Sequence, residues 1–258
     1  MKCAYLVLLC VVHVVIAQNE DSTLSSIFAE YGSEGTLLLV SNDNQKSFAH
    51  NTKRSQERFT AASTFKIPNT LIALECGAVK DENQIIPWDS VDQGMPEWNK
   101  DQSLSSALPV SCVWFYQELA KRVGKDKYKE YLAKLNYGNE TVGLDVTTFW
   151  LDGSLKISAA EQIDFLKKIY ANELPFSLKH LRILKKIMIV EQDLSYIIRA
   201  KTGMAVSCDP KVGWFTGYVE TAEAVWFFAL NMDIKTPEDL KLRKEIVIEA
   251  LKKKGIIN

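Results

Sequence analysis

Histidine is scarce in this chain, with three residues among 258, and His13 falls within an apolar N-terminal run. A mature chain that begins after this run keeps only His50 and His180, and no Gly-x-Ser-x-Gly motif accompanies them. A Ser-His-Asp hydrolase is therefore poorly supported. The sequence also lacks His-Glu-x-x-His, Walker A and Gly-x-Gly-x-x-Gly motifs, which argues against a zinc protease, a P-loop nucleotidase and a Rossmann enzyme.

An excess of either charge is also lacking, because 31 Lys and Arg residues stand against 32 Asp and Glu residues, for a net charge of −1. The one basic run, at 252–254, is typical of a solvated helix end that complements the helix dipole. We therefore predict no nucleic-acid partner.

The cysteines form no framework, since Cys76, Cys112 and Cys208 are scattered and odd in number once the N-terminal segment is set aside. Neither a disulfide pattern nor a zinc spacing is visible, and at most one pair could bridge. Buried free thiols are the interpretation we favour, and we predict no metal. A chain of this length buries about 70–75% of its unfolded surface, so it needs neither disulfides nor a metal ion to fold.

The N-terminus has the pattern of an export signal: Met1-Lys2, an apolar run from Ala4 to Ile16, and Ala17 at its end. We predict a signal peptide at 1–17 and a mature domain at 18–258 that is periplasmic and free of the membrane after cleavage. The apolar run is too short to span a bilayer. A lipid anchor at Cys10 is the alternative, although the bulky Leu9 precedes it.

Strand patterns occur near both ends of the mature chain and helix patterns lie between them. The predicted strands are 36–41, 45–50, 196–203, 213–219 and 224–232. The predicted helices are 24–31, 64–76, 107–122, 126–135, 159–170, 178–189 and 236–254. The fold class is therefore α+β (mixed α/β), an antiparallel sheet flanked by N- and C-terminal helices, with a helical lobe at roughly 64–190 inserted into it.

A single Ser-x-x-Lys, formed by Ser63 and Lys66, lies at the start of a predicted helix. Residues three apart share a helix face, so the hydroxyl and the amine can meet. Pro68 cannot donate to the carbonyl of Thr64, which predicts a 3₁₀-like first turn. Taken alone the motif is close to chance, and a helix start with a solvated lysine is the alternative.

Lys201-Thr202-Gly203 ends a predicted strand far downstream. Thr202 can donate to an anion, and Gly203 lets a ligand approach the strand. Ser-x-x-Lys followed by Lys-Thr-Gly is the pattern of penicillin-recognising serine enzymes. Three further motifs lie between them: Ser111-Cys112-Val113, early on a predicted helix, then Tyr137-Gly138-Asn139 and Phe149-Trp150-Leu151.

In this order the motifs resemble those of class D (oxacillinase-type) β-lactamases, and the resemblance covers essentially the whole mature chain. The flanking stretches 66–75, 96–99 and 114–120 match as well. The resemblance implies a serine β-lactamase/penicillin-binding-protein-like fold and a hydrolase that opens β-lactams through an acyl-enzyme and confers resistance to penicillins. It implies four catalytic residues: Ser63, Lys66, Ser111 and Trp150. It implies six substrate-binding residues: Val113, Lys201, Thr202, Gly203, Met204 and Arg243.

The resemblance also implies that Lys66 is carried as an N6-carboxylysine made with CO₂ or bicarbonate, with no other cofactor. CO₂ adds only to a neutral amine, and burial can lower a lysine pKa from about 10.4 by about 3–5 units. Apolar neighbours and the indole N–H of Trp150 would then surround the new carboxylate. Tyr137-Gly138-Asn139 is expected to be architectural, shaping the floor of the pocket.

The remaining implied roles concern the substrate. Ser111 is expected to relay a proton to the departing β-lactam nitrogen, and the backbone N–H groups of Ser63 and Met204 to form the oxyanion hole. Lys201, Thr202 and Arg243 are expected to recognise the substrate carboxylate.

A non-hydrolytic penicillin sensor that stays acylated is the alternative function. Such sensors usually follow membrane spans, and this chain carries only a cleavable-looking signal, so the hydrolase is favoured. The state of Cys112 (a buried helix residue or a reactive thiol), a homodimer, and the spectrum set by the loops 95–99 and 204–212 are left open.

Overall fold

The computed structural model describes residues 19–258, so the predicted signal peptide lies outside the described residues. A six-stranded sheet lies at the centre, and every neighbouring pair of its strands is antiparallel. The strands of this sheet are β1 (Gly35–Ser41), β2 (Ser47–His50), β5 (Ile189–Gln192), β6 (Tyr196–Ala205), β7 (Lys211–Thr221) and β8 (Val225–Ile234). Their order is β2-β1-β8-β7-β6-β5. A separate two-stranded sheet pairs β3 (Phe59–Thr60) with β4 (Lys156–Ile157).

Helices occupy much of the chain between β2 and β5 and flank the sheet at both ends of the described chain. They are α1 (Ser22–Glu30), α2 (Thr52–Ser55), α3 (Lys66–Glu75), α4 (Leu104–Ala107), α5 (Val113–Val123), α6 (Lys125–Leu135), α7 (Ala159–Ala171), α8 (Leu178–Ile187) and α9 (Asp239–Lys253). A 3₁₀ turn, Ala62–Phe65, leads into α3. In the described part of the chain, no helix is both long and apolar enough to span a membrane.

The sheet is covered on both faces, and β1 shows how the sequence produces this. All seven of its residues are buried, and successive side chains of a strand point to opposite faces. Leu37 and Leu39 enter the apolar cluster beneath α1 and α9, whereas Leu38 and Val40 enter the cluster formed with α7 and the helices around the nucleophile motif. An almost continuous apolar run is what a strand with two buried faces requires.

The mixed α+β class, the antiparallel sheet and the early hairpin are confirmed. The predicted helix signals also act as expected: Ser158 and Glu161 form a reciprocal capping box at α7. Gly124, with φ of 83°, separates α5 from α6, and Asn172, with φ of 59°, ends α7. The division into a sheet lobe and a helical lobe at roughly 64–190 stays a prediction.

Three element boundaries were predicted wrongly. The single helix expected over 107–122 is divided into α4 and α5 by a turn in which Ser111 has φ of 57°. The helix expected to reach residue 189 ends at Ile187, and residues 189–192 form the edge strand β5. The last helix begins at Asp239 rather than at 236, because the Asp239 carboxylate first accepts the N–H groups of Lys235 and Thr236 in a turn.

Candidate active site

The 3₁₀ turn presents Ser63 and Lys66 to each other, as the three-residue spacing predicts. The Nζ atom of Lys66 lies 2.8 Å from the Oγ atom of Ser63. Ser63 is half-buried, whereas Lys66 is fully buried. Ala62 has φ of 47°, a left-handed conformation that is uncommon for alanine. Its N–H donates to the carbonyl of Trp150 at 2.8 Å, so a long-range contact holds the strained turn that carries the nucleophile candidate.

The surroundings of Lys66 are apolar and aromatic. Burial lowers the pKa of the Lys66 amine to about 7, because an ammonium loses its hydration there. The ring of Phe65 lies 5.7 Å from that of Trp150, centroid to centroid, and the Trp150 indole N–H is buried without a hydrogen-bond partner among the described residues. A buried donor without an acceptor is costly, so the pocket lined by Phe65 and Trp150 suits an additional acceptor.

A second lysine–serine pair forms on the other side of the site. Lys201, on β6, donates a short hydrogen bond from its Nζ atom to the Oγ atom of Ser111 and a second one to the carbonyl of Thr202. Ser111 was expected early on a helix, but it lies in the turn before α5, with Val113 as the first helical residue. Because Ser111 has a positive φ, its side chain points in a different direction from that of a helical residue.

The three cations of the site are close together and lack carboxylate partners within residues 19–258. Burial lowers the pKa of Lys201 well below its usual value, and the neighbouring charges of Lys66 and Arg243 lower it further. Arg243, on α9, donates to the carbonyl of Gly203 at 2.7 Å, and burial lowers its pKa to about 10. Such a site attracts an anion.

The part of strand β6 that lies near Ser63 is unpaired on the side away from β7. The N–H of Ala200 donates to the carbonyl of Met188, and beyond that point β6 pairs only with β7, in unbroken register. Residues two apart on a strand direct their N–H groups to the same side, so the N–H of Met204 points to this free edge. Gly203 completes the approach, because a Cβ atom there would lie 3.4 Å from the Ser63 nitrogen and only 3.2 Å from the Cβ of Trp214.

The Thr202 hydroxyl lies beside Lys201 in the site, because the Lys201 Nζ atom is 3.4 Å from the Thr202 Oγ1 atom. Met204 packs against the apolar cluster beneath α9, beside which Leu240 also lies. Arg243 crosses β7 at Gly213, where a Cβ atom would come within 2.8 Å of the arginine Cδ atom. A glycine at this position therefore gives Arg243 its path from α9 to the site.

Tyr137-Gly138-Asn139 holds the segment that carries Trp150. Gly138 has φ of 57°, and a Cβ atom there would lie 2.0 Å from the carbonyl oxygen of Lys156. The Asn139 side chain donates to the carbonyl of Ser154 at 2.8 Å and accepts from the N–H of Lys156 at 2.9 Å. These contacts support the predicted architectural role.

Two residues of the Lys66 pocket lie within the matched sequence stretches but had no predicted role there. Tyr116 is fully buried, and the Lys66 Nζ atom lies over its ring, 5.3 Å from the centroid. Cys112 lies one helical turn earlier and is also buried. The four-residue spacing, which places both on one face of α5, was the signal that could have identified them.

The three cysteines of the described chain are free. Burial raises the pKa of the Cys112 thiol to about 11, so it is protonated and unreactive at neutral pH. Of the two interpretations of Cys112, the structure favours the buried residue at a helix start. Within residues 19–258 no three His, Cys, Asp or Glu side chains lie close enough together to hold a metal ion.

Comparisons with known proteins agree with this geometry. The family model described as the penicillin binding protein transpeptidase domain matches residues 29–252. The chain is 44% identical over 239 residues to β-lactamase OXA-48 of Klebsiella pneumoniae, covering 93% of this chain and 90% of that protein. It is 45% identical over 234 residues to β-lactamase OXA-20 of Pseudomonas aeruginosa, covering 88% and 85% respectively.

Among solved structures, FUS-1 (OXA-85), a class D β-lactamase from Fusobacterium nucleatum subsp. polymorphum, superimposes with a TM-score of 0.91 at 39% identity, over 93% of this chain and 100% of that one. The class D β-lactamase YbXI from Nostoc gives a TM-score of 0.89 at 38% identity, over 92% and 99%. Sequence, fold and the serine–lysine geometry lead to one assignment. The chain belongs to the class D β-lactamases, serine hydrolases that open β-lactam rings.

Proposed function

We propose that this enzyme hydrolyses penicillins, with Ser63 as the nucleophile and an N-carboxylated Lys66 as the general base, and that it confers resistance to them. One observation carries the proposal. Lys66 is fully buried, with a lowered pKa and no carboxylate partner within residues 19–258. The ring of the neighbouring Phe65 packs against Trp150, whose buried indole N–H has no acceptor among the described residues. A carboxylate on Lys66 would provide the missing acceptor.

The residues present suit that modification. With a pKa of about 7, roughly half of the Lys66 amines are neutral at pH 7. The nitrogen lone pair of a neutral amine bonds to the carbon of CO₂, and one proton leaves the nitrogen, so the side chain changes from a cation or neutral amine to an anion. Ser63 and Trp150 would hold the product through their O–H and N–H groups, and its oxygen supplies the base for acylation and deacylation.

The acylation step uses both lysine–serine pairs. The Ser63 hydroxyl gives its proton to the carboxylated Lys66 while its oxygen bonds to the β-lactam carbonyl carbon, and the carbon–nitrogen bond of the ring breaks. The departing nitrogen takes a proton from the hydroxyl of Ser111, and Lys201, which is hydrogen-bonded to that hydroxyl, replaces it. The lowered pKa of Lys201 makes its proton easier to release. Water then attacks the acyl carbon and frees the Ser63 oxygen.

The developing oxyanion would be bound by the backbone N–H groups of Ser63 and Met204. The free edge of β6 supports this assignment, since it directs the Met204 N–H towards the turn that holds Ser63. A donor of this kind contributes about 3–4 kcal/mol in other hydrolases. Lys201, Thr202 and Arg243 would bind the substrate carboxylate, because Lys201 and Arg243 have no carboxylate partner within residues 19–258 and Thr202 can donate from its hydroxyl. Val113, at the start of α5, would line the pocket.

The experiment is an intact-mass time course of mature protein with excess penicillin and bicarbonate, with drug loss followed in parallel. The proposal expects drug loss over many turnovers and a transient adduct of one acyl group on Ser63. In Lys66→Ala, turnover should cease while the adduct accumulates. Lys129→Ala, which removes an exposed lysine of α6, serves as the matched control and should behave as wild type.

Other outcomes separate the alternatives. One equivalent of penicillin that stays bound for hours in the wild-type protein would indicate the acylated sensor. Full turnover in Lys66→Ala would place the base elsewhere. Absence of any adduct would overturn both functions.

A further inference from the structure

Lys66 contacts one aromatic ring in a way that its role as a base does not explain. Its Nζ atom lies over the ring of Tyr116, 5.3 Å from the centroid, and both side chains are fully buried. A cation over an aromatic face is attracted by the ring quadrupole within about 6 Å, most strongly where water is absent. A neutral amine gains much less from the same ring.

A chain of hydroxyl groups fixes the position of that ring. The Thr70 hydroxyl donates to the carbonyl oxygen of Lys66 at 2.8 Å. Its single proton is therefore used, and the Tyr116 hydroxyl, 2.9 Å from the Thr70 oxygen, is the donor of that second bond. Burial raises the pKa of the Tyr116 phenol, so the donor keeps its proton. The ring is thus tied to the backbone of the same lysine whose amine it faces.

We propose that Tyr116 is a positioning residue that stabilises the ammonium form of Lys66 and thereby restrains the addition of CO₂. This inference rests on the proposed carboxylation. The ring opposes the effect of burial, which favours the neutral amine. The consequence is a lysine that titrates near neutral pH, so that its carboxylation is reversible and responds to pH and bicarbonate.

The other groups that face Lys66 act differently. Ser63 is uncharged, and Cys112, on the same face of α5 as Tyr116, is a neutral thiol at this pH. A thiolate at Cys112 would raise the pKa of Lys66, but that thiol is protonated at this pH. Lys201, on β6, has its own pKa lowered by the charges of Lys66 and Arg243, so it offers nothing that would hold the proton on Lys66. At neutral pH the ring of Tyr116 is therefore the group around Lys66 that favours the charged amine.

The test reverses the quadrupole of the aromatic ring at position 116 while keeping a ring of similar size there. Tyr116→Phe is compared with pentafluorophenylalanine introduced at position 116 by stop-codon suppression, because fluorination reverses the charge pattern of the ring face at similar size. The first readout is the titration of Lys66 in CO₂-free buffer, followed by NMR of ¹³Cε-labelled lysine. Relative to Tyr116→Phe, the fluorinated ring should lower the Lys66 midpoint by about 0.5–1.5 pH units.

The second readout is uptake of ¹³CO₂ at pH 6, where most Lys66 is charged. The CO₂ concentration for half-carboxylation should fall by about 3–30-fold in the fluorinated protein. If the wild-type enzyme takes up no label, the proposed carboxylation fails, while the titration without CO₂ still decides the role of Tyr116. Equal midpoints for the phenylalanine and fluorinated proteins would overturn the inference.

Tyr128 provides a matched control. It is also fully buried, and its hydroxyl also bonds to α3, donating to Asn69 at 2.7 Å. Its ring lies against Phe65, 6.0 Å between centroids, whereas the Lys66 amine lies over the ring of Tyr116. The same two replacements at 128 should leave the Lys66 midpoint in place. A shift as large as that at 116 would indicate general loosening and would count against the inference.

Discussion

Two buried lysines, each donating to a serine hydroxyl, stand on opposite sides of this active site and differ in what surrounds them. Ser63 lies in the 3₁₀ turn, Lys66 begins the helix α3 that follows it, and aromatic side chains lie around them. Lys201 and Ser111 come from a strand and a distant turn, and their neighbours are other cations. The same two functional groups therefore face different partners: an apolar pocket with a free indole N–H in one case, and an anion-attracting surface in the other.

The different surroundings explain how two similar lysine–serine pairs can have two different roles. Burial is the main cause of the lowered pKa at both lysines, but only at Lys201 do neighbouring positive charges lower it further. An amine in an apolar pocket is suited to take up CO₂ and become a base, whereas an amine among other basic groups is suited to bind an anion and release a proton. The surroundings, rather than the lysine–serine contact, separate the two assignments.

The largest expected effect comes from removing each hydroxyl in turn. Ser63→Ala should abolish the covalent penicillin adduct, because the attacking oxygen is gone. Ser111→Ala should still form the adduct, with acylation slowed by about 10²–10⁴-fold, the usual contribution of a proton-transfer group. Intact-mass kinetics distinguishes the two. An adduct that persists in Ser63→Ala would mean that the roles of the pairs are reversed.

The pH dependence of stability should isolate the Lys66 pocket. The folded-state pKa of Lys66 is about 7, below its usual value of 10.5, so between these values the unfolded chain binds the additional proton and stability rises with pH. From pH 7 to 9 this gain is about 2 kcal/mol. Lys66→Met should lose it, as measured by urea unfolding without CO₂. Parallel pH profiles for the two proteins would contradict the lowered pKa.

Trp150→Phe tests the acceptor that the Lys66 pocket lacks. Loss of the indole N–H should weaken the carboxylated lysine by about 10–100-fold, as for a hydrogen bond to a charged group, and added bicarbonate should restore activity in part. Trp214→Phe is the control, because that indole already donates to the carbonyl of Thr60 at 3.0 Å. Equal rescue of both variants by bicarbonate would contradict a specific hydrogen bond from Trp150 to the carboxylated lysine.

The smallest expected effect concerns the Lys201 side. Arg243→Lys keeps a positive charge but not the planar donor group, so KM for penicillin should rise by roughly 3–10-fold with little change in kcat, as for one weakened hydrogen bond. Steady-state kinetics provides the measurement. A loss confined to kcat would indicate that Arg243 acts on the chemical step instead of on binding.

Sequence reasoning identified the local contacts of this site and missed some that depend on distant chain segments. The meeting of Ser63 and Lys66 follows from spacing, and the 3₁₀ turn follows from Pro68. The turn at Ser111 was missed because a positive φ at a serine leaves no pattern in the sequence. Strand β5 was missed because residues 187–190 are apolar and fit a helix or a strand, and only pairing with β6 decides between them.

Strand order has a further consequence for how the enzyme is made. Gly35 pairs with Met232, about 200 residues later, and β8 separates β1 from β7 within the sheet. The last strand to be synthesised therefore occupies an interior position, and pairings this distant slow folding. The nucleophile turn precedes β8, and Arg243 follows it. Recovery of β-lactamase activity during refolding should therefore report completion of the whole sheet and lag behind helix formation.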